Sequence, residues 1–162
     1  MNSSRRTFFK RAIGIGASTA AVTRAAGAAT QSPGVRGFDH VAIPMQNVDA
    51  MLSFYRALGF TVNEGPQVCS VYFGMQMINL HRPGLWQGAA FALRAPAARP
   101  PCGDFCFVWE GTADSLKAML DKIGATVETG PVNRQGGRQK AGSSTYIRDP
   151  DRNLLEFIVY PA

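Results

Sequence analysis

The sequence predicts an α+β fold in which two βαβββ modules form a curved mixed sheet around a cleft. One observation behind this prediction is an internal repeat, because GFTV at Gly59–Val62 and GATV at Gly124–Val127 lie 65 residues apart. A second observation is that the spacing of apolar residues gives each half the order strand, helix and three strands. Since such a unit cannot bury its sheet alone, we expect the two halves to pack together.

The first module, residues 37–83, begins with FDHVAIPM, whose alternation of side chains is typical of a strand. The segment NVDAMLSFYRALG follows and is predicted to be a helix that ends at a glycine. One face of this helix carries Val48, Met51, Leu52, Tyr55 and Leu58. FTVNEG, QVCSVYFG and MQMINLHRPG are predicted to be three short strands, because glycine and proline separate them.

The second module, residues 102–160, repeats this order within a single domain that spans residues 37–162. GDFCFVWEG is strand-like, TADSLKAMLDKIG is helical, and ATVETGP, SSTYIRDP and NLLEFIVY are the three remaining strands. A connecting loop, residues 84–101, is rich in proline and alanine but also contains Leu85, Trp86, Phe91 and Leu93. We expect this loop either to cover a cavity or to lie against the outside of a sheet.

Residues 1–28 form a leader that resembles a twin-arginine export signal, since Ser4–Lys10 reads SRRTFFK. Ala26 and Ala28 provide a small-x-small cleavage pattern, and residues 29–36 would then be a linker. The leader predicts export by the twin-arginine translocase to the periplasm or the extracellular space. If it were not cleaved, it would tether the protein to a membrane.

The positive charge of the chain belongs to this leader. The chain has 17 basic and 11 acidic residues, and five of the basic ones lie in residues 1–28, which leaves twelve for the body. The body therefore carries almost no net charge, and no nucleic-acid partner is expected. Cys69, Cys102 and Cys106 lack a metal-binding C-x-x-C pair and are expected to be core thiols, with a Cys102–Cys106 bridge after export as the alternative.

The last strand contains a carboxylate, Glu156, between Leu155 and Phe157. Burying that carboxylate without a partner would cost several kcal/mol, so it needs a metal ion, a lysine or an arginine beside it. Strand alternation places Glu156, Asp104 and the pair Asn79 and His81 on faces opposite their apolar neighbours, whereas His40 shares a face with Phe38 and Ala42. If those faces meet in one cleft, it contains the only two histidines of the chain and one or two carboxylates, a set that suits a divalent metal.

Several motifs resemble the vicinal oxygen chelate superfamily, which includes glyoxalase I, fosfomycin-modifying enzymes, extradiol dioxygenases and bleomycin-resistance proteins. They are FDHVAI at the start, NLH at the end of the first half and RDPDRNLLEFIVY at the end of the second. INLHRPG, GDFCFVW, ETGPVNR and YIRDPDRNLLE are most similar to small glyoxalase-domain-containing proteins, a group with virulence-associated bacterial members. The resemblance covers Phe38–Tyr160.

The resemblance implies that the metal ligands come from the first and fourth strands of each module. These positions are His40 and Asp104 on the first strands, and Asn79 and Glu156 on the fourth strands, with His81 one pleat farther along. The sequence departs from glyoxalase I, which has glutamate at the Asn79 position and histidine at the Asp104 position. We expect a divalent ion, either zinc, nickel, manganese or iron, held by His40, Glu156 and either His81 or Asp104.

By resemblance, the protein is a metal-dependent lyase, isomerase or dioxygenase that acts on a small substrate with vicinal oxygens. Glu156 would then be the catalytic base, while Asn79, Trp86 and Arg134 would contact the substrate. The charge of Arg134 has a simpler alternative, which is solvation at the surface. The alternative function is a non-catalytic protein that sequesters an aromatic compound, as bleomycin-resistance proteins do, in a cleft lined by aromatic residues such as Tyr72 and Trp109. The resemblance also implies a homodimer, and the sequence leaves open whether one chain or two form the site.

Overall fold

The computed structural model describes residues 34–161, and Gly37–Ala162 form a compact unit. The predicted export signal, residues 1–28, lies outside the described residues, together with the first part of the predicted linker. Within residues 34–161 there is no helix with the length and apolar character needed to cross a membrane.

Each half of the domain contains one helix and four strands in the predicted order. The first module consists of β1 (His40–Pro44), α1 (Val48–Ala57), β2 (Thr61–Asn63), β3 (Val68–Phe73) and β4 (Gln76–His81). A short helix, α2 (Pro83–Trp86), begins the connecting loop. The second module consists of β5 (Asp104–Val108), α3 (Ala113–Lys122), β6 (Val127–Gln135), β7 (Ala141–Arg148) and β8 (Leu154–Val159). The predicted βαβββ repeat is confirmed.

The strands are distributed over two four-stranded mixed sheets in the described part of the chain, one in each module. Their orders are β1-β4-β3-β2 and β5-β8-β7-β6. In each sheet the first and last strands of the module run parallel, and the other pairs are antiparallel. Strands β1 and β5 lie at sheet edges, so each presents one row of backbone groups to its surroundings.

The apolar side chains that predicted the helices and strands form one core. Met51, Leu52 and Tyr55 of α1 are buried, as are Leu116 and Leu120 of α3. Helix α3 begins at a capping box, in which Thr112 and Ser115 satisfy backbone N–H groups that the first helical turn leaves without partners. In β8 the alternation is as predicted, with Leu155 and Phe157 buried and Glu156 half-buried.

Aromatic rings join the two modules across this core. The Phe107 ring of β5 lies 5.2 Å from Phe60 and 5.2 Å from Phe73 between ring centroids, and 5.6 Å from Phe157 of its own sheet. Full burial of one such side chain stabilises a fold by about 1.5–3 kcal/mol. The modules are therefore joined by apolar packing, as the repeat predicts.

The turn between β7 and β8 also ties the second module to α1. The Tyr55 hydroxyl donates a hydrogen bond of 3.1 Å to Oδ2 of Asp149. The carboxylate of Asp151 accepts the backbone N–H groups of Gln46 at 2.6 Å and Asn47 at 2.8 Å, just before α1 begins. This Asp-Pro-Asp turn therefore has a structural role in holding the modules together.

Asn153 completes the same network from the start of β8. Its Oδ1 accepts the backbone N–H groups of Cys102 at 3.0 Å and Gly103 at 2.8 Å, and its Nδ2 donates to Asp149 at 2.8 Å. Burial raises the pKa of Asp149, and the hydrogen bonds from Asn153 and Tyr55 oppose that shift. The end of the connecting loop is thus fixed to the second module.

The glycine-rich segment NRQGGRQKAGSS is less of a loop than its composition suggests. Strand β6 continues to Gln135 and β7 begins at Ala141. Strand β6 can include Pro131 because it is an edge strand and its pairing with β7 shifts between Thr129 and Val132. An edge strand with a shifted register is poorly suited to pairing with another chain.

Candidate functional site

The two sheets each have one face that carries the polar residues singled out in the sequence. We call the face with His40, Ala42, Ser70, Tyr72, Met77 and Asn79 the first open face. The face with Asp104, Cys106, Arg134, Tyr146 and Glu156 is the second open face. These assignments follow from the strand registers, in which Ala42 lies opposite Asn79 and Cys106 lies opposite Glu156.

His40 is the most exposed candidate ligand of the first open face. Its side chain is 46% exposed, and its Nδ1 lies 2.6 Å from Oδ1 of Asp39. A carboxylate on one ring nitrogen fixes the orientation of the ring and leaves Nε2 for a ligand, as is common for metal-binding histidines. Asp39 was not predicted as the partner of His40, because strand alternation would direct its side chain to the opposite face. Asp39 precedes the first residue of β1, where that rule does not apply.

Asn79 has a hydrogen-bond partner on the neighbouring strand. The Ser70 hydroxyl donates to Oδ1 of Asn79 at 2.7 Å, and the two residues are paired in the β3–β4 register. The amide oxygen, the one atom of Asn79 that could bind a metal, is therefore already an acceptor. This arrangement is the interstrand contact that a half-buried asparagine needs.

His81 lies at the far end of the same sheet from His40. The register places His81 opposite Pro44, four residues along β1 from His40. At roughly 3.3 Å per residue the two imidazoles are separated by about 13 Å along the strands. His81 is 9% exposed, and burial lowers its pKa. The structure does not bring the two histidines together.

The connecting loop covers the His81 end of the first sheet. The Phe91 ring lies edge-on to the His81 ring at 5.2 Å between centroids. Nε1 of Trp86 donates to the backbone oxygen of Met45 at 3.0 Å. Beneath the loop is a cavity of about 110 Å³, lined in part by His81, Trp86 and Arg94. The loop therefore both packs on the sheet and covers a cavity, which combines the two expectations for it.

Glu156, on the second open face, is held by a hydroxyl group. Oγ of the fully buried Ser144 donates a short hydrogen bond to Oε1 of Glu156. No lysine or arginine among residues 34–161 forms an ion pair with Glu156, so the predicted salt-bridge alternative is not observed there. Ser144 was not predicted as the partner of Glu156, although it lies two residues before Tyr146, which pairs with Glu156 in the β7–β8 register.

A thiol lies beside this carboxylate. Cys106 is opposite Glu156 in the β5–β8 register. Burial raises the pKa of Cys106 to about 12, and the charge and hydrogen bond of Glu156 contribute to the shift. The thiol therefore stays protonated at neutral pH. All three cysteines are free thiols, but only Cys69 is buried. The expectation of core thiols is therefore wrong for Cys102 and Cys106, which are exposed, and the alternative Cys102–Cys106 bridge is not formed.

Asp104 and Arg134 complete the second open face. Asp104 is exposed and begins β5, opposite Leu154, one diagonal step from Glu156. Nε of Arg134 donates to the Tyr146 hydroxyl at 3.0 Å, and its guanidinium carbon lies 5.7 Å from the centroid of that ring. The structure therefore places Arg134 on the same face as Glu156, with Tyr146 between them.

The candidate ligands are divided between the two open faces of one chain. Among residues 34–161 there is no group of three or more histidine, cysteine, aspartate or glutamate side chains placed to hold a metal ion. The first open face supplies His40, and the second supplies Asp104 and Glu156. An imidazole with a free Nε2 and two carboxylates is a suitable donor set for a divalent metal. The donor atoms of these residues are therefore suitable for a divalent ion. Within a single chain, however, the residues lie on two different faces and cannot bind one ion together.

The aromatic residues considered for a sequestering cleft lie in different places. Trp86 and Phe91 belong to the connecting loop, whereas Tyr72 is 38% exposed on the first open face. Trp109 packs against Phe157 at 6.4 Å between centroids, and its Nε1 donates to Ser115. The structure thus does not gather these rings around one cleft.

Residues 37–157 match the Glyoxalase/Bleomycin resistance protein/Dioxygenase superfamily. The chain is 35% identical over 127 residues to the glyoxalase domain-containing protein RDO1 of Mycosarcoma maydis, which covers 78% of this chain and 69% of that protein. It is 32% identical over 124 residues to virulence protein STM3117 of Salmonella typhimurium, and the matched region covers 75% of this chain and 83% of that protein.

Solved structures show the same fold. The STM3117 structure superimposes with a TM-score of 0.70 at 29% identity, covering 78% of this chain and 98% of that one. An integron cassette protein from V. cholerae superimposes with a TM-score of 0.69 at 31% identity, covering 78% of this chain and 97% of that one. A lactoylglutathione lyase from Agrobacterium tumefaciens superimposes with a TM-score of 0.59 at 25% identity, covering 76% of this chain and 92% of that one.

Proposed function

Because the chain belongs to the glyoxalase/bleomycin resistance protein/dioxygenase superfamily, we propose that it is an exported enzyme that depends on a divalent metal. Its substrate is a small molecule with two adjacent oxygen atoms, and its reaction is of the lyase, isomerase or dioxygenase type. Members of this superfamily commonly use divalent metals. The observation that supports metal dependence most strongly is the hydrogen bond between Asp39 and His40, which leaves Nε2 of an exposed imidazole available.

The site is formed between two copies of the chain. Strands β1 and β5 are both sheet edges, whereas the opposite edges are poorly suited to pairing. Strand β2 has three residues, and β6 contains a proline and a shifted register. Pairing β1 of one copy beside β5 of the other would place the first open face of one chain next to the second open face of its neighbour. His40 would then share a cleft with Asp104 and Glu156.

In this cleft His40, Glu156 and Asp104 hold the ion. When bound, the ion acts as a Lewis acid that stabilises negative charge developing on the substrate oxygens. Asn79, on the same face as His40, contributes its amide group to substrate contact. Zinc, nickel, manganese and iron all suit one imidazole and two carboxylates, so the metal has to be identified by measurement.

Glu156 would move a proton on the substrate after its carboxylate has left the ion. The Ser144 hydroxyl orients its carboxylate through Oε1, and no basic residue in the described part of the chain neutralises it by an ion pair. A positioned carboxylate of this kind can serve as a general base. The Cys106 thiol, with its pKa raised to about 12, stays protonated and does not compete as a nucleophile.

Arg134 recognises a negatively charged part of the substrate. It is exposed on the second open face, and Tyr146 holds its guanidinium group through Nε. A guanidinium held in this way keeps donors for a carboxylate or a similar anion. The twin-arginine leader supports export of the folded protein, and we place its activity in the periplasm or outside the cell.

Elemental analysis of the purified mature protein tests this proposal. We expect a stoichiometric divalent metal in the wild type and its loss in both His40→Ala and Glu156→Gln. His81→Gln is the matched control, because it removes the other imidazole of the chain at about 13 Å from the proposed site, and it should keep the metal. A wild-type protein that stays free of metal after incubation with all four candidate ions would refute the proposal.

A further inference from the structure

We infer that an open cavity at one end of the second module is a binding site for an aliphatic α-amino acid, with Arg138 for its carboxylate and Glu110 for its ammonium group. The cavity has a volume of about 720 Å³ and lies where β5 and β8 end, beside the turn between β6 and β7. This inference goes beyond the proposed enzymatic function and does not depend on a metal ion.

Two opposite charges line this cavity. Among the described residues of its wall, Arg138 and Glu110 are the charged ones, and both are exposed and therefore within reach of a ligand. They do not pair with each other, and within residues 34–161 neither side chain has an ion-pair partner or a hydrogen bond. The ammonium and carboxylate groups of an α-amino acid are attached to one carbon, so such a molecule can join two charges that are too far apart to pair directly.

Tyr160 positions Arg138 at the cavity. The guanidinium carbon of Arg138 lies 5.0 Å from the centroid of the Tyr160 ring, and the Tyr160 hydroxyl accepts the backbone N–H of Arg138 at 3.5 Å. Gly136 makes room for this contact, because a Cβ atom at that position would overlap the Tyr160 hydroxyl. Stacking on a ring restrains the planar guanidinium group and leaves its N–H donors available to a carboxylate.

Glu110 reaches the same cavity from the other side of the sheet. The backbone N–H of Trp109 donates to the backbone oxygen of Ile158 at 2.9 Å, so the pairing of the two strands continues past the end of β5. Glu110 follows directly and therefore lies at the level of Tyr160. The carboxylate of Glu110 and the guanidinium group of Arg138 thus belong to different elements that line one cavity.

The rest of the cavity wall is largely apolar and defines the side chain of the ligand. It includes Val108, Trp109, Val159 and Pro161. The volume lies in the range of about 300–1,000 Å³ that is usual for small-molecule sites, so a molecule of the size of leucine has room in it. A charged side chain would meet these apolar walls without a partner, which is costly. We therefore favour an amino acid with an aliphatic side chain.

Calorimetric titration of the purified mature protein with leucine tests the inference. We expect saturable binding with and without a chelator, because Tyr160 is four residues beyond Glu156 and thus about 13 Å along the strand from the proposed metal centre. N-acetylleucine lacks the ammonium charge and leucinamide lacks the carboxylate, so each should bind at least about tenfold more weakly than leucine. Absence of saturation with leucine, or equal binding of either analogue, would overturn the inference. Leucine binding by a protein that never takes up metal would refute only the metal proposal.

Substitutions at the two charges test which groups recognise the amino acid. Arg138→Gln and Glu110→Gln should each weaken leucine binding at least about tenfold, because each leaves one charge of the ligand without its partner. Lys140→Gln is the matched control, since Lys140 is an exposed cation of the same turn that does not line the cavity, and its affinity should stay at the wild-type value. Unchanged affinity in Arg138→Gln or Glu110→Gln, or an equal loss in all three variants, would contradict the assignment.

Discussion

Oδ1 of Asp39 lies 2.6 Å from Nδ1 of His40, so a carboxylate determines which imidazole nitrogen is available on the first open face. Both side chains are exposed, and solvent alone would not hold the ring in one orientation. The pair resembles the outer-sphere contacts that orient histidine ligands in metal sites. This Asp39–His40 pair at the edge strand β1 is the reason for proposing His40 as a metal ligand.

Replacement of Asp39 should weaken metal binding without removing a ligand. We expect Asp39→Asn to lower the affinity for the metal by about 10- to 100-fold, the usual effect of losing such a contact. Competition with a fluorescent chelator measures this affinity. Asp49→Asn, an exposed change in the first turn of α1, is the control and should leave the affinity unchanged. An unaltered affinity in Asp39→Asn would show that His40 is oriented by something else.

Loss of the Tyr55 hydroxyl should destabilise the fold, because Asp149 is buried and would lose a donor. We expect Tyr55→Phe to lower the free energy of unfolding by about 1–3 kcal/mol in urea titrations. Tyr72→Phe removes a hydroxyl from a 38% exposed side chain and serves as the control, with little expected change. Equal stability of both variants would mean that this contact does not hold the modules together.

Tyr55 should also make the fold sensitive to alkaline pH. Burial, and then the charge of Asp149, raise the pKa of Tyr55 well above 10.0. The unfolded chain loses this proton near pH 10, whereas the folded chain keeps it. The stabilisation is therefore complete below pH 10 and is lost as pH rises further, by at most about 1.4 kcal/mol per pH unit. Between pH 9.5 and 11 the stability of Tyr55→Phe should fall less steeply than that of the wild type, and parallel curves would count against this prediction.

The thiol of Cys106 should report on Glu156. In metal-free protein at pH 8 we expect slow alkylation of Cys106 by iodoacetamide, because its pKa is raised to about 12. Glu156→Gln removes a charge and should accelerate the reaction, although burial, the main cause, remains. Cys102 is an internal control, since burial, Asp149 and Asp151 raise its pKa and Glu156 does not contribute. Peptide mass spectrometry separates the two sites, and an unchanged rate at Cys106 would contradict the contact.

The repeat and the helices could be predicted because they depend on local patterns. The apolar spacing of α1 and α3, and the alternation around Glu156, are properties of neighbouring residues, and the structure confirms them. These features need no knowledge of which strands are neighbours.

The partners of the candidate ligands could not be predicted in the same way. Ser144 reaches Glu156 because of the register between β7 and β8, and the sequence does not specify that register. The register of β1 with β4 likewise separates His81 from His40. One curved sheet in a single chain would have gathered all the ligands, but the two sheets of the structure leave them on separate faces. Contacts between residues distant in sequence determine the site.

The most direct test of the account is to combine two defective variants. Under the proposal, His40→Ala and Glu156→Gln chains form a mixed dimer with one intact site, because each supplies the ligand that the other lacks. A mixed dimer isolated with two affinity tags should therefore contain about half of the wild-type metal content, while each parent contains none. A metal-free mixed dimer, formed from chains whose wild-type counterpart binds metal, would show that His40 and Glu156 of different copies do not share an ion.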